Sequence, residues 1–207
     1  MENYISNGLL VAGCDEAGRG CLAGPVVAAA VIWNKAEINP LIRDSKKLKE
    51  NMRADLSEYI KNNATAWAIG VVEHHIIDQI NILKASITAM HLAIEKLRLQ
   101  PNHLIIDGNK FNPFQSIPHT CYVGGDDIYY QISCASILAK VHRDEIMKGY
   151  HNEYPVYNFH KNKGYGTKFH IEAIIKHGPT PIHRMTFAPM SNQHNLFNQN
   201  TTENIVL

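Results

Sequence analysis

Four acidic residues, Asp15, Glu16, Asp107 and Asp126, stand at the ends of apolar runs. Asp15 and Glu16 lie in AGCDEAGRG just after Leu9, Leu10 and Val11, Asp107 closes HLIID, and Asp126 follows TCYVGG. A buried carboxylate without a partner is costly, and a second one beside it adds like-charge repulsion. Asp15–Glu16 therefore calls for a positive partner: Arg19, a distant lysine or a divalent cation. In an open α/β sheet the ends of strands are neighbours in space, and the crevice beside them is where ligands bind. Asp126 or Asp127 alone reads as a helix cap, but Asp126 with the other three reads as a carboxylate cluster. Hard oxygens without adjacent histidine or cysteine suit Mg²⁺ or Mn²⁺ better than zinc. Two such ions about 3.5–4 Å apart would activate a water and stabilise the leaving oxygen of a phosphodiester. Neighbouring side chains of a regular strand point to opposite faces, so Glu16 joins Asp15 only where the strand ends or bulges.

The elements that must carry these acids follow from hydrophobic periodicity. Residues 9–15 and 25–33 (PVVAAAVIW) form two apolar segments joined by glycines, which implies adjacent antiparallel strands, and residues 66–72 a third. Leu48, Met52, Leu56 and Tyr59 recur at helical spacing behind Ser45 as the expected N-cap. That start puts Lys46 and Lys47 in a first turn, where the helix dipole disfavours cations and an anion such as phosphate would be welcome. Residues 81–97 carry one apolar stripe, Leu83, Ile87, Met90, Ile94 and Leu97. Residues 103–107 and 120–123 are short strands, and Asp126–Asp127 open a long helix to about Tyr150 whose core face takes Ile128, Ile132, Ala135, Ala139 and Ile146. A last short helix is capped by Thr167 and stopped by Gly178–Pro179. Strands interleaved with helices in this order indicate a mixed α/β sheet with helices on its faces.

The 207 residues fit one domain, and 20 basic against 19 acidic residues give a net charge of +1, which argues against a bulk electrostatic nucleic-acid binder and leaves a local basic groove. The lysines at 46, 47 and 49 and at 161, 163 and 168 read by themselves as solvated faces. Four cysteines without a CxxC pair, and twelve histidines without HExxH, give neither a disulfide framework nor a zinc site. The N-terminus lacks the pattern of a secretory signal, so a cytoplasmic location is expected.

In DEAGRG, LAGPVVAAAVI, DSKKL, LIIDGN, SCASILAKVHRDE, HKNKGYGTKFH and GPTPIHRMTF, in that order, the chain resembles type 2 ribonuclease H in its bacterial ribonuclease HII form up to about Phe187. The resemblance implies a ribonuclease H-like fold, a five-stranded mixed sheet flanked by helices with a small C-terminal helical segment, over a catalytic domain at 1–190. It implies a metal-dependent endoribonuclease that cleaves the RNA strand of RNA–DNA hybrids and nicks duplex DNA 5′ of an embedded ribonucleotide, leaving 3′-hydroxyl and 5′-phosphate ends. Its catalytic and metal-binding acids carry over to Asp15, Glu16, Asp107 and Asp126, the last chosen over Asp127 because it follows the small residue Gly125. Gly18, Arg19, Gly20 and Tyr165 carry over as readers of the ribonucleotide, in keeping with backbone groups that can approach a 2′-hydroxyl closely. Lys46, Lys47, Ser136 and Lys140 are the expected phosphate contacts, although Lys140 could instead pair with Asp144 one turn on. Two positions depart from the pattern: Cys21 stands where proline is common, and Gly124 where lysine is frequent.

Residues 191–207, rich in Asn and Gln, read as a tail. Within it QHNLF, with Gln193, Leu196 and Phe197, matches the loose form of peptides that dock on the bacterial sliding clamp. The resemblance implies a monomer. The rival reading from another class is a hybrid-binding protein without catalysis, which would need no cluster of four acids.

Overall fold

The computed structural model describes residue 2, residues 9–42 and residues 49–191. Five strands, β1 (Val11–Ala17), β2 (Val26–Ile32), β3 (Ala66–Val72), β4 (His103–Asp107) and β5 (His119–Tyr122), make one sheet in the order β3-β2-β1-β4-β5. β1–β2 and β2–β3 pair antiparallel, β1–β4 and β4–β5 parallel. This is the mixed sheet expected, with the first two strands adjacent and antiparallel.

Helices cover both faces of the sheet, so β2 is buried at all seven positions and reads as a continuous apolar run. On one face Ala12, Cys14, Ala28, Ala30, Leu104 and Ile106 meet Ala85, Ala89, Met90 and Ala93 of α3 (Ile82–Glu95). On the other, Val27, Ala29 and Val31 meet α1 (Glu50–Asn63) and α5 (Tyr130–Glu153) through Leu56, Ile60, Cys134, Ala135 and Leu138. Gly13 sets the closeness of that second contact. A Cβ there would lie 2.4 Å from the carbonyl carbon of Gln131 and 2.5 Å from the nitrogen of Ile132, so α5 rests its backbone directly on β1.

Several boundaries differ from the expectation. α1 begins at Glu50 after Lys49, which makes no side-chain cap bond; Ser45 is not its cap, and the first turn holds an acid that suits the dipole. α2 (His74–Ile80) was missed because seven residues show little helical period. Asp126 and Asp127 lie in a separate short turn, α4 (Gly125–Ile128), and Tyr129 is extended at φ −109°, ψ 131° before α5 begins. The break resets the helical phase, which leaves Ile128 exposed while Ile132, Ala135 and Ala139 are buried. At the C-terminal end come α6 (Phe159–Asn162) and α7 (Lys168–His177), the latter capped by the Thr167 hydroxyl accepting from His170 N and closed at Gly178, as expected. They share a core of Phe159, Ile174, Ile182 and Met147 with Leu22 and Ala23 from the loop after β1. Among the described residues no helix is long and apolar enough to cross a membrane.

Candidate active site

β1 runs without interruption through Asp15 and Glu16, paired with Ala29 and Ala28 of β2. The two carboxylates therefore leave opposite faces of the strand. Asp15, 5% exposed, turns toward α5, where it is hydrogen-bonded to the Ser136 side chain; its Oδ1 also accepts the Glu16 backbone N–H at 2.7 Å. Burial, then the charges of Glu16 and Asp107, push the Asp15 carboxyl well above the usual range. Glu16, with its side chain 9% exposed, accepts from Arg19 Nη1 at 3.1 Å. Burial raises its pKa while Arg19 opposes the rise. Arg19 is thus a partner of Glu16, whereas Asp15 is faced by a hydroxyl, an amide and two further acids.

Asp107 ends β4, one strand away, and its Oδ1 accepts the Gly125 N–H at 2.7 Å. That bond anchors the turn carrying Asp126. A Cβ at Gly125 would come within 2.7 Å of Ile132 Cδ1 and 3.2 Å of Tyr122 Cβ, so a larger residue would have to push those two side chains aside for the turn to close against β5. Asp126 is buried and Asp127 exposed. Asp15, Glu16 and Asp107 share one electrostatic environment, and Asp126 is the next residue after the Gly125 that Asp107 holds. Among the described residues no three His, Cys, Asp or Glu side chains are arranged, as they stand, to hold a metal ion. The donor set still fits a hard cation: carboxylate oxygens on neighbouring strands, Asp15 and Glu16 raised first by burial and then by nearby acids, with room for further ligands from water and phosphate.

Beside the acids lies a groove of about 510 Å³ lined by Glu16, Gly18, Arg19, Gly20, Arg53, Ser136, Lys140 and Tyr165. Gly18 has φ +98°, and a Cβ there would meet Arg143 Nε at 2.0 Å, so the loop admits no side chain at this point. A Cβ at Gly20 would meet nothing within 4 Å, which leaves space for a ligand. Tyr165, 42% exposed, is bridged by its backbone to Cys21, and the two side chains are hydrogen-bonded. Cys21 thus ties the loop after GRG to the tyrosine. Lys140 pairs with the buried Asp144 one turn on, as the alternative reading had it, and Ser136 serves Asp15. Lys163 is buried against Glu50 at 3.1 Å rather than forming a solvated face. Lys46, Lys47 and the QHNLF segment lie outside the described residues.

Two arginines that the sequence reading passed over hold the groove together. Arg143 is buried and donates to the carbonyls of Pro25 (2.9 Å), Lys163 (2.8 Å) and Ala23 (3.0 Å), with its guanidinium 6.0 Å from the Tyr165 ring centroid. Arg184, also buried, donates to Gly24 (3.0 Å), Arg19 (3.0 Å) and Pro25 (3.1 Å). The signal for Arg143 was present: Ala135, Ala139, Arg143 and Met147 form one stripe at four-residue spacing, and a cation in that stripe must find buried acceptors. Arg184 lies outside any regular element and had no such mark.

A family model described as ribonuclease HII matches residues 12–190. Similar proteins bearing that name include one from Bacteroides thetaiotaomicron, 56% identical over 184 residues, 89% of this chain and 92% of its own. Another, from Parabacteroides distasonis, is 54% identical over 190 residues, 92% and 96% of the two chains. Among solved structures, the ribonuclease H2 of Pyrococcus horikoshii OT3 superposes with a TM-score of 0.76 at 26% identity, covering 92% of this chain and 99% of that one.

Proposed function

The chain belongs to the ribonuclease HII family, metal-dependent endoribonucleases that act on RNA–DNA hybrids, and from that premise we propose that it also nicks duplex DNA 5′ of single embedded ribonucleotides, in ribonucleotide removal during DNA repair and replication. One catalytic domain over residues 1–190 does this as a cytoplasmic monomer. The observation that carries the reading is the group Asp15, Glu16 and Asp107, of which Glu16 opens onto the groove floored by Gly18–Gly20 and Tyr165.

Asp15, Glu16, Asp107 and Asp126 are the residues that would hold Mg²⁺ or Mn²⁺. Bound there, two such ions would make water a competent nucleophile at neutral pH and offset charge on the leaving 3′-oxygen, yielding 3′-hydroxyl and 5′-phosphate ends. Ser136 and the Glu16 N–H orient the Asp15 carboxylate, and Arg19 holds that of Glu16. The open backbone at Gly20 and the turn made possible by Gly18 let main-chain groups reach a 2′-hydroxyl, which is both donor and acceptor. Tyr165 presents its ring to the adjoining sugar, where a second hydroxyl would be sensed. Lys140 reaches a phosphate by leaving Asp144, and Lys46 and Lys47 are further phosphate contacts. QHNLF is the segment for a sliding clamp, tested by clamp pull-down with and without residues after Ser191.

The deciding experiment uses a labelled DNA duplex containing one ribonucleotide, with Mg²⁺, Mn²⁺ or EDTA. A metal-dependent nick 5′ of the ribonucleotide is expected from wild type. Cleavage of long hybrids with no such nick would remove the embedded-ribonucleotide activity and leave the family activity standing.

A further inference from the structure

Behind the Tyr165 loop, two fully buried imidazoles, His170 of α7 and His183, face each other with their Nε2 atoms 3.1 Å apart. Their protons have one self-consistent arrangement. The Thr180 backbone N–H and the Thr180 hydroxyl both lie 2.8 Å from His183 Nδ1; a hydroxyl can donate or accept, but an amide N–H can only donate, so Nδ1 is the bare nitrogen. The hydrogen of a neutral His183 is then on Nε2 and is donated to His170 Nε2. His170 must carry its own hydrogen on Nδ1, which donates to the Tyr165 carbonyl at 2.9 Å. That carbonyl also accepts the Thr167 N–H at 2.8 Å, so both of its lone pairs are used.

A proton added to either ring breaks the series, since His170 would then turn a donor toward a donor and His183 Nδ1–H would face the Thr180 N–H, with only the Thr180 hydroxyl left to accept from it. The surroundings keep both rings neutral: Tyr157 and Phe159 pack around them at ring-centroid distances of 5.3–6.4 Å. Burial lowers the pKa of each, that of His183 to about 4. At its far end the series is fastened to the other half of the groove. The His183 backbone bridges Ala23 in the loop after GRG, and the next residue, Arg184, holds the Arg19 carbonyl.

We propose that His170 and His183 are positioning residues, a directed pair that fixes the main chain at Tyr165 relative to the GRG loop and so sets how strictly a ribonucleotide junction is recognised. The proposal rests on the reading of Tyr165 given above. Its first test is long-range ¹H–¹⁵N correlation spectroscopy of wild type at pH 7. The expected result is His183 protonated only at Nε2 and His170 only at Nδ1; a charged ring, or His183 protonated at Nδ1, overturns the proposal.

The second test compares kcat/KM on a single-ribonucleotide duplex with that on a uniform hybrid, for His183→Phe in wild-type and Tyr165→Ala backgrounds. With the His183 ring's bonds to His170 and Thr180 both lost, the ratio is expected to fall about tenfold in wild type and less than about twofold without the tyrosine. An equal fall in both backgrounds marks a purely structural role and overturns the proposal. A Tyr165→Ala enzyme with an unchanged ratio removes the sugar-reading role itself, and with it the function assigned to the pair, even where the spectra agree.

Discussion

The carboxyl of Asp15 is driven toward its protonated form by burial and by Glu16 and Asp107. A folded-state pKa above the unfolded value means that folding takes up a proton, so stability is greatest at low pH and is lost as pH rises from the ordinary aspartate range through the elevated one. At neutral pH without metal the charged Asp15 is a net cost. Asp15→Asn, which can keep the Ser136 contact, is therefore expected to raise stability in EDTA at pH 7 by about 1 kcal/mol or more. The gain should shrink as the pH is lowered toward 4, as read from Tm, and a lower Tm at pH 7 contradicts the electrostatic account. Among the adjacent aspartates, burial separates two roles. Asp126→Asn is expected to cut cleavage at least 100-fold and Asp127→Asn less than about threefold, measured as single-turnover rates on one hybrid.

At the level of elements, the site depends on how closely α5 approaches β1 and on what clamps the loop between β1 and β2. Gly13→Ala places a Cβ inside the van der Waals envelope of the α5 backbone, and the helix must lift. A loss of about 2–3 kcal/mol is expected, with reduced cleavage because Ser136 moves away from Asp15; unchanged Tm refutes the close-contact argument. Arg143→Ala strands the carbonyls of Ala23, Pro25 and Lys163 and leaves a cavity. A loss of about 3 kcal/mol or more is expected from the urea midpoint. Lysine should rescue little of it, since one ammonium cannot reproduce the planar fork that reaches three carbonyls.

Across the whole molecule, a net charge of +1 leaves substrate binding to the few cations at the groove. Arg19, Arg53 and Lys140 line it, so with Lys46 and Lys47 also engaged log K against log salt should have a slope of roughly −3 to −4.5 in the absence of metal. Arg19→Ala should reduce its magnitude by about 1, and a wild-type slope steeper than about −5 would point to a much larger basic surface. The sequence by itself determined which segments are strands, because a two-sided buried strand such as β2 must be apolar throughout. It also singled out the acids, because charge at the end of an apolar run is costly without a purpose. The family resemblance was equally legible, carried by short motifs whose order survives without any structure. What only the tertiary structure decided are relations across the chain. Arg19 belongs to Glu16, Lys140 to Asp144, and Asp107 holds the turn before Asp126. Arg143 and Arg184 span more than a hundred residues to reach the loop after β1, and His170 meets His183 across the turn after α7, where His183 also bridges that loop. Local periodicity records which face of an element is buried; it does not record which distant carbonyl, carboxylate or imidazole lies on the other side, and in this protein those pairings shape the groove.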